Sequence, residues 1–239
     1  MPARCGQPID TTPWHAVSRR GPRRINADAT ATWCDPVTGR SAFVVADGVG
    51  DSEAAASAAR LAARVAAVTA VREGPVAAVL AAQEALREDA GDCVLAVVVP
   101  GEYACDVSWV GDCRVYYSNG RVLQQVTVDH TVAEYFRARD REVTLRMEHL
   151  VTTSVQTARP EWIGTTRTSV SVGRLLLCSD GVHRSLSAHD IRAVLDRPVS
   201  PDVTARLLVD TALEHGGRDN STALVLDHGL VGVTASAAA

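Results

Sequence analysis

Two apolar runs in this chain stop in the same way, at an acid followed by glycine: Phe43-Val44-Val45-Ala46-Asp47-Gly48 and Leu175-Leu176-Leu177-Cys178-Ser179-Asp180-Gly181. A continuous apolar run of that length, bounded by a turn signal, reads as a buried strand. Each aspartate therefore belongs at a strand end, where a rigid element holds it in place. Two further acids occupy turn settings beside apolar strands, Asp112 in Gly111-Asp112-Cys113-Arg114 and Asp219 in Arg218-Asp219-Asn220. Carboxylates gathered at strand ends point to a site for a hard metal ion, which prefers oxygen ligands.

The periodicity between these landmarks alternates between helix and strand. A helix is expected from Asp51, capped by Asp51 or Ser52, with Leu61, Val65 and Val68 facing the core and Arg60 and Arg64 turned away. Gly74-Pro75 ends it and opens a second helix carrying Val76, Val79, Leu80 and Leu86. The run 93–99 is continuously apolar and 103–110 alternates, with Cys105, Val107 and Trp109 on one face, so both read as strands. Strands 114–118 and 121–126 flank Asn119-Gly120, a strong hairpin signal. A helical stretch begins near Thr131, and 146–167, which shows no clear period, reads as an exposed excursion of flap type. Strands 168–172 and 174–178 lead to Asp180; helices start at Ser187, with Asp190 at the capping-box offset, and at Ser200-Pro201. Gly216-Gly217 ends the last helix and strand 222–226 closes the pattern. This order predicts an α+β architecture of antiparallel sheets covered by helices.

Composition narrows the class. A chain of 239 residues, 46% hydrophobic and with a net charge of -4, fits one domain over 1–228, followed by a flexible small-residue tail at 229–239. The cysteines at 5, 34, 93, 105, 113 and 178 include no Cys-x-x-Cys pair, and those within apolar runs read as buried reduced thiols, which places the protein in a reducing cytoplasm. Lysine is absent and the overall balance is slightly acidic, which argues against nucleic acid as the main ligand. The segment from Met1 to Trp14 lacks a secretory apolar core, and no stretch is expected to approach the roughly 20 apolar residues of a membrane helix. A monomer without membrane attachment is the expectation.

Read in order, Arg23-Arg24-Ile25-Asn26-Ala27-Asp28, Ala46-Asp47-Gly48-Val49-Gly50, Val110-Gly111-Asp112-Cys113-Arg114-Val115-Tyr116, Asp129-His130, Cys178-Ser179-Asp180-Gly181 and Asp219-Asn220-Ser221 resemble the metal-dependent type-2C (PPM) serine/threonine protein phosphatases, in particular their compact bacterial members. The resemblance runs from about Arg23 to Leu226 and rests on several short motifs in one order. It implies an α-β-β-α sandwich, two antiparallel sheets flanked by helix pairs, with a metal cluster at one end and removal of phosphate from phosphoserine or phosphothreonine. The implied partner is a phosphorylated protein, the substrate of a bacterial serine/threonine kinase. The implied cofactors are Mn2+ or Mg2+, two ions and a weaker third.

The chemistry suits the residues. Two divalent cations sharing one carboxylate lower the pKa of a bridging water and aim the resulting hydroxide at phosphorus. By resemblance Asp47 is the shared ligand, Gly48 supplies a backbone carbonyl, Asp180 and Asp219 complete the direct carboxylates, and Asp112 with Asp180 holds the third ion. Asp28 and Asn220 stand behind these ligands. Arg23 matches the arginine that grips the substrate phosphate, a task suited to a planar fork of donors. Metals and Arg23 together supply the positioning and charge neutralisation that phosphoryl transfer requires.

The chain also departs from the family pattern. Ala27 stands where a glutamate usually holds a metal-bound water, Val49 stands where many eukaryotic members place a histidine general acid, and Asp51 replaces a glycine. The departure at Ala27 motivates a competing reading, a catalytically weak pseudophosphatase that acts as a phosphoprotein-binding regulatory module. A small-molecule phosphatase is a third reading. Taken singly, an Asp-Gly pair is most often a turn, Arg23 could belong to a solvated basic patch, and His130, His183 and His189 read as capping or surface residues.

Overall fold

The apolar runs become inner strands of two antiparallel sheets. A computed structural model describes residues 13–170 and 172–229. In chain order its elements are β1 (Trp14–Arg19), β2 (Asp28–Cys34), β3 (Ser41–Gly48), α1 (Glu53–Glu73), α2 (Pro75–Ala85), β4 (Cys93–Pro100), β5 (Ala104–Val110), β6 (Arg114–Ser118), β7 (Leu123–Gln125), α3 (Val132–Arg137), β8 (Gly164–Ser169), β9 (Gly173–Cys178), α4 (Asp180–His183), α5 (Ala188–Leu195), α6 (Pro201–Glu214) and β10 (Ser221–His228). One sheet has the order β1-β10-β9-β6-β7 and the other β2-β3-β4-β5-β8. Phe43, Val45, Val107 and Trp109 of the second sheet meet Leu175, Leu177, Leu224 and Leu226 of the first, so the sheets share one apolar layer. The α1–α2 pair covers the outer face of the second sheet and α4–α6 the outer face of the first. The result is the expected α-β-β-α sandwich.

The helix caps follow local chemistry. Ser52 caps α1 by accepting from the Ala55 N–H at 3.1 Å, and Ser187 with Asp190 forms a reciprocal capping box on α5. Thr131 and Ser200 cap α3 and α6. The buried face of α1 differs from the expected one. It is lined by Ala55, Ala58, Ala59, Ala62, Ala63, Ala66 and Ala70, while Leu61, Val65 and Val68 lie only partly buried beside it. An alanine stripe lets the helix axis lie close to the sheet, and the larger side chains then fill the flanks. At 21 residues and a mean hydropathy of 1.3, α1 is also long and apolar enough to cross a bilayer by length and composition, contrary to expectation. Here its alanine face is packed on the second sheet.

The segment 146–167 is not the exposed excursion its sequence suggests. Val155 is fully buried, and the Gln156 amide donates to the carbonyl oxygens of Leu86, Asp89 and Gly91 at 2.9, 2.9 and 3.1 Å. Its end forms β8, an edge strand paired with β5, so the strand expected at 168–172 begins earlier and belongs to the second sheet. Gly164 is required there because a Cβ would lie 2.2 Å from the Trp109 indole. The tail and Cys5 lie outside the described residues, apart from Gly229.

Cys93, Cys105, Cys113 and Cys178 are buried and free, whereas Cys34 is exposed. Burial raises the thiol pKa of all four, to about 12 for Cys105. Native protein treated with a thiol-reactive probe should therefore be modified at Cys34 and, among the described cysteines, at no other until denaturant is added. Peptide mapping that finds Cys113 or Cys178 labelled in native protein would contradict this packing.

Candidate active site

Topology alone brings the acids to one end of the sandwich. Asp47 closes β3 and pairs across the strands with Asp28, the first residue of β2. Asp112 lies in the turn that carries the chain from β5 in one sheet to β6 in the other. Asp180 follows β9 and Asp219 precedes β10, strands that pair beside each other. Arg23, Asp47, Gly48, Asp112, Asp180, Asp219 and Asn220 consequently line one pocket, with Val49, His149 and Arg184 on its wall. Asp28 stands behind it, buried.

Glycines and small residues permit the approach. A Cβ on Gly48 would lie 2.6 Å from the Ala55 carbonyl oxygen, so glycine is required where β3 meets the start of α1. A Cβ on Gly181 would lie 2.0 Å from the Asn220 carbonyl oxygen, which fixes α4 against the β10 turn. Gly111 takes a positive φ of 85° with its backbone against Val94.

The loop that carries Arg23 is tied down from two directions. The Asn220 side chain accepts from the Ala27 N–H at 2.8 Å and donates to the carbonyl oxygens of Arg20 and Ile25 at 2.7 and 2.8 Å. Asp51 accepts from the backbone N–H groups of Arg24 and Ile25 at 3.3 and 3.0 Å. Asp51 thus neither caps α1 nor lines the pocket; it anchors this loop. Ala27 packs with Ala55, Ala56 and Ile25 and is off the pocket wall.

The electrostatics are those of crowded acids. Burial holds the Asp47 carboxyl well above the usual range, and the charges of Asp28, Asp180, Asp112 and Asp219 push it in the same direction. No described hydrogen-bond or ion-pair partner meets the Asp47 carboxylate. Burial lifts Asp28 to about 7, against hydrogen bonds donated to its Oδ2 by Ser179 at 2.7 Å and Thr222 at 2.6 Å. Its Oδ1 is buried without a partner. Asp112 rises to about 6 and Asp180 also rises, both mainly through burial and both opposed by the Arg184 charge.

Arginines engage the other acids. Arg23 donates to Asp219 Oδ2 at 2.6 Å and to the Arg218 carbonyl oxygen at 3.2 Å. Arg184 pairs with Asp112 at 2.6 Å and with Asp180 at 3.0 Å. As these side chains stand, no three His, Cys, Asp or Glu groups among the described residues form a ready-made shell around one ion. The donor set nevertheless fits hard cations: it is all oxygen, Asp47 is partly buried on the pocket wall with no partner among the described residues, and Asp28 Oδ1 behind it is buried without one.

Sequence reasoning missed Arg184 and misplaced His183. His183 is buried rather than at the surface, with its Nε2 2.9 Å from the Asp112 carbonyl oxygen, and burial lowers its pKa well below the usual range. As a neutral ring it donates through Nε2. His130 accepts from the Gly111 N–H at 3.3 Å and stacks on Trp109. The i to i+4 spacing of Asp180 and Arg184 on one helical turn was the available signal for the first omission.

The raised carboxyls link stability to pH. Asp28 and Asp112 bind protons in the folded chain up to about 7 and about 6, against an ordinary value of 3.8, so the folded state binds more protons than the unfolded one between these limits and stability falls as pH rises through that window. In chelator the melting midpoint should drop between about pH 4 and about pH 7, and saturating manganese should remove the drop. A metal-free midpoint that climbs over this interval would contradict the crowding described.

No protein-family model matches the chain. No curated protein matches it by sequence. Solved structures do match. The serine/threonine phosphatase Stp1 from Staphylococcus aureus superposes with a TM-score of 0.84 at 17% identity, over 95% of this chain and 99% of that one. The PPM Ser-Thr phosphatase MsPP from Mycobacterium smegmatis, in complex with cacodylate, gives 0.72 at 27% identity over 90% and 98%. The catalytic domain of the serine/threonine protein phosphatase PstP, in complex with 2 manganese ions, gives 0.77 at 25% identity over 90% and 97%. The likeness read from the ordered motifs therefore holds in three dimensions: across nearly its full length, the chain has the fold of the bacterial PPM serine/threonine phosphatases.

Proposed function

We propose that the chain is a manganese- or magnesium-dependent phosphatase that hydrolyses phosphoserine and phosphothreonine in proteins. The observation that carries this reading is Asp47: a carboxylate crowded by four other acids and met by no cation among the described residues, lining a pocket that also holds the Arg23 fork. A site built only for structure would pair such a group or replace it. The solved complex of PstP with 2 manganese ions, on the same fold, supports the same choice of metal.

In this reading Asp47, Asp180 and Asp219, with the Gly48 carbonyl, would hold the ions, while Asp28 is fixed behind them by the Ser179 and Thr222 hydroxyls and Asn220 keeps the Arg23 loop in place. When bound, the divalent cations supply Lewis acidity, which neutralises phosphate charge and acidifies water. Arg23 does the rest of the phosphate binding. Its guanidinium leaves Asp219 for the phosphate oxygens, a bidentate match that fixes the ester for in-line displacement. Arg23 stays near this task because Asn220 and Asp51 hold its loop on both sides. Val49, 55% exposed on the pocket wall, offers no proton, so protonation of the leaving group falls to solvent within the site.

A second reading has an observation of its own. Arg23 and Arg184 already neutralise Asp219, Asp112 and Asp180, a state that would suit a phosphoprotein-binding module with little turnover. Kinetics separate the two. Purified protein with manganese should hydrolyse p-nitrophenyl phosphate and a phosphothreonine peptide, and chelator should stop it. Asp47→Asn should lower kcat roughly 100-fold or more, the rate equivalent of about 3 kcal/mol for a disrupted buried charge site. Arg23→Ala should raise KM roughly 10-fold, in line with hydrogen bonds to a charged group. A protein that binds the phosphopeptide without turnover supports the binding module, and an Arg23→Ala variant that loses metal affinity at unchanged KM contradicts the role given to Arg23.

A further inference from the structure

We infer that Arg184 is a built-in cation that occupies the place between Asp112 and Asp180, so that this acid pair takes no divalent ion. The inference rests on the metal-binding reading of the site and departs from the expectation that Asp112 and Asp180 share a third ion. Its guanidinium reaches Asp112 Oδ2 at 2.6 Å and Asp180 Oδ2 at 3.0 Å. Both carboxylates are largely shielded, with side-chain exposures of 5% and 14%, and the arginine itself is 23% exposed. Screening by solvent is therefore weak here, and one fixed positive charge between two acids does the electrostatic work that an ion would do.

The arginine is also held in place. It donates to the Glu148 carbonyl oxygen at 2.7 Å and touches His149, so the 3-10 turn over Leu145–His149 buttresses the guanidinium from the far side. The preceding residue, His183, donates to the Asp112 carbonyl oxygen at 2.9 Å. The dipeptide His183-Arg184 thus grips the Gly111-Asp112-Cys113 turn by its backbone and by its carboxylate. An ion could displace this arginine only by breaking its contacts with two other segments and with Asp180 of its own helical turn. A planar fork with several donors suits such a bridge; the point charge of a lysine does not.

Manganese stoichiometry tests the proposal without reference to turnover. Wild type, Arg184→Ala and Arg184→Ala with Asp112→Asn are dialysed against the same millimolar manganese, and bound metal is counted by elemental analysis. The proposal predicts one more ion per chain in Arg184→Ala than in wild type, and loss of that extra ion in the double variant. Equal counts in wild type and Arg184→Ala, zero in both included, overturn it. Should wild type bind none while Arg184→Ala binds one, the proposal stands and the phosphatase reading falls. If Arg184→Ala does not fold, Arg184→Gln, neutral with a similar stem, replaces it under the same outcomes. Unfolding in chelator supplies an independent measure: destabilisation by Arg184→Ala and Asp112→Asn should be clearly less than additive in the double variant, and strict additivity would show that the pair does not interact.

Discussion

Like charge at close quarters is the constraint on which the rest of this molecule depends. Five acids converge at one end of the sandwich, and desolvation together with mutual repulsion holds Asp47, Asp28, Asp112 and Asp180 above their ordinary pKa. Such a cluster costs folding free energy unless cations offset it. The chain supplies two of its own, Arg23 on Asp219 and Arg184 between Asp112 and Asp180. Among the described residues Asp47 is left without one. The proposed complement is a divalent cation, such as the manganese bound by a phosphatase of the same fold.

The framework exists to make the crowding tolerable. Acids from both sheets meet because the connections β1 to β2 and β5 to β6 cross from one sheet to the other at the same end. Glycines at 48, 111 and 181 remove side chains that would collide with backbone or core, and the alanine face of α1 lets that helix seat against the end of β3. Asn220 and Asp51 then stitch the Arg23 loop to β10 and to the start of α1. Ala27 belongs to the same seam, packed with Ala55, Ala56 and Ile25.

Much of this was legible in the sequence because the signals are local. Asp47 and Asp180 announce themselves as the stops of apolar runs, and the caps at Ser52, Thr131, Ser187 and Ser200 follow from side-chain chemistry within one turn. Other features need the fold. The polar alternation of Gly164–Ser169 carries no hydrophobic signature, because an edge strand lying over Trp109 is specified by its partner β5. The strand Trp14–Arg19 was overlooked for a similar reason, as its pairing with β10 depends on residues some two hundred positions away. The core face of α1 was misjudged because alanine counts little in a hydrophobic stripe yet decides how closely a helix can pack. Arg184 has no local signal for its main partner, because Asp112 lies on a different sheet connection and meets it only in the fold.

Diffraction from crystals grown in excess manganese, recorded at the manganese absorption edge, measures the central claim most directly. The account predicts anomalous density beside Asp47, with oxygen ligands from Asp47, Asp180 and Asp219. Well-ordered crystals that show those side chains clearly and no anomalous peak at Asp47 would contradict it.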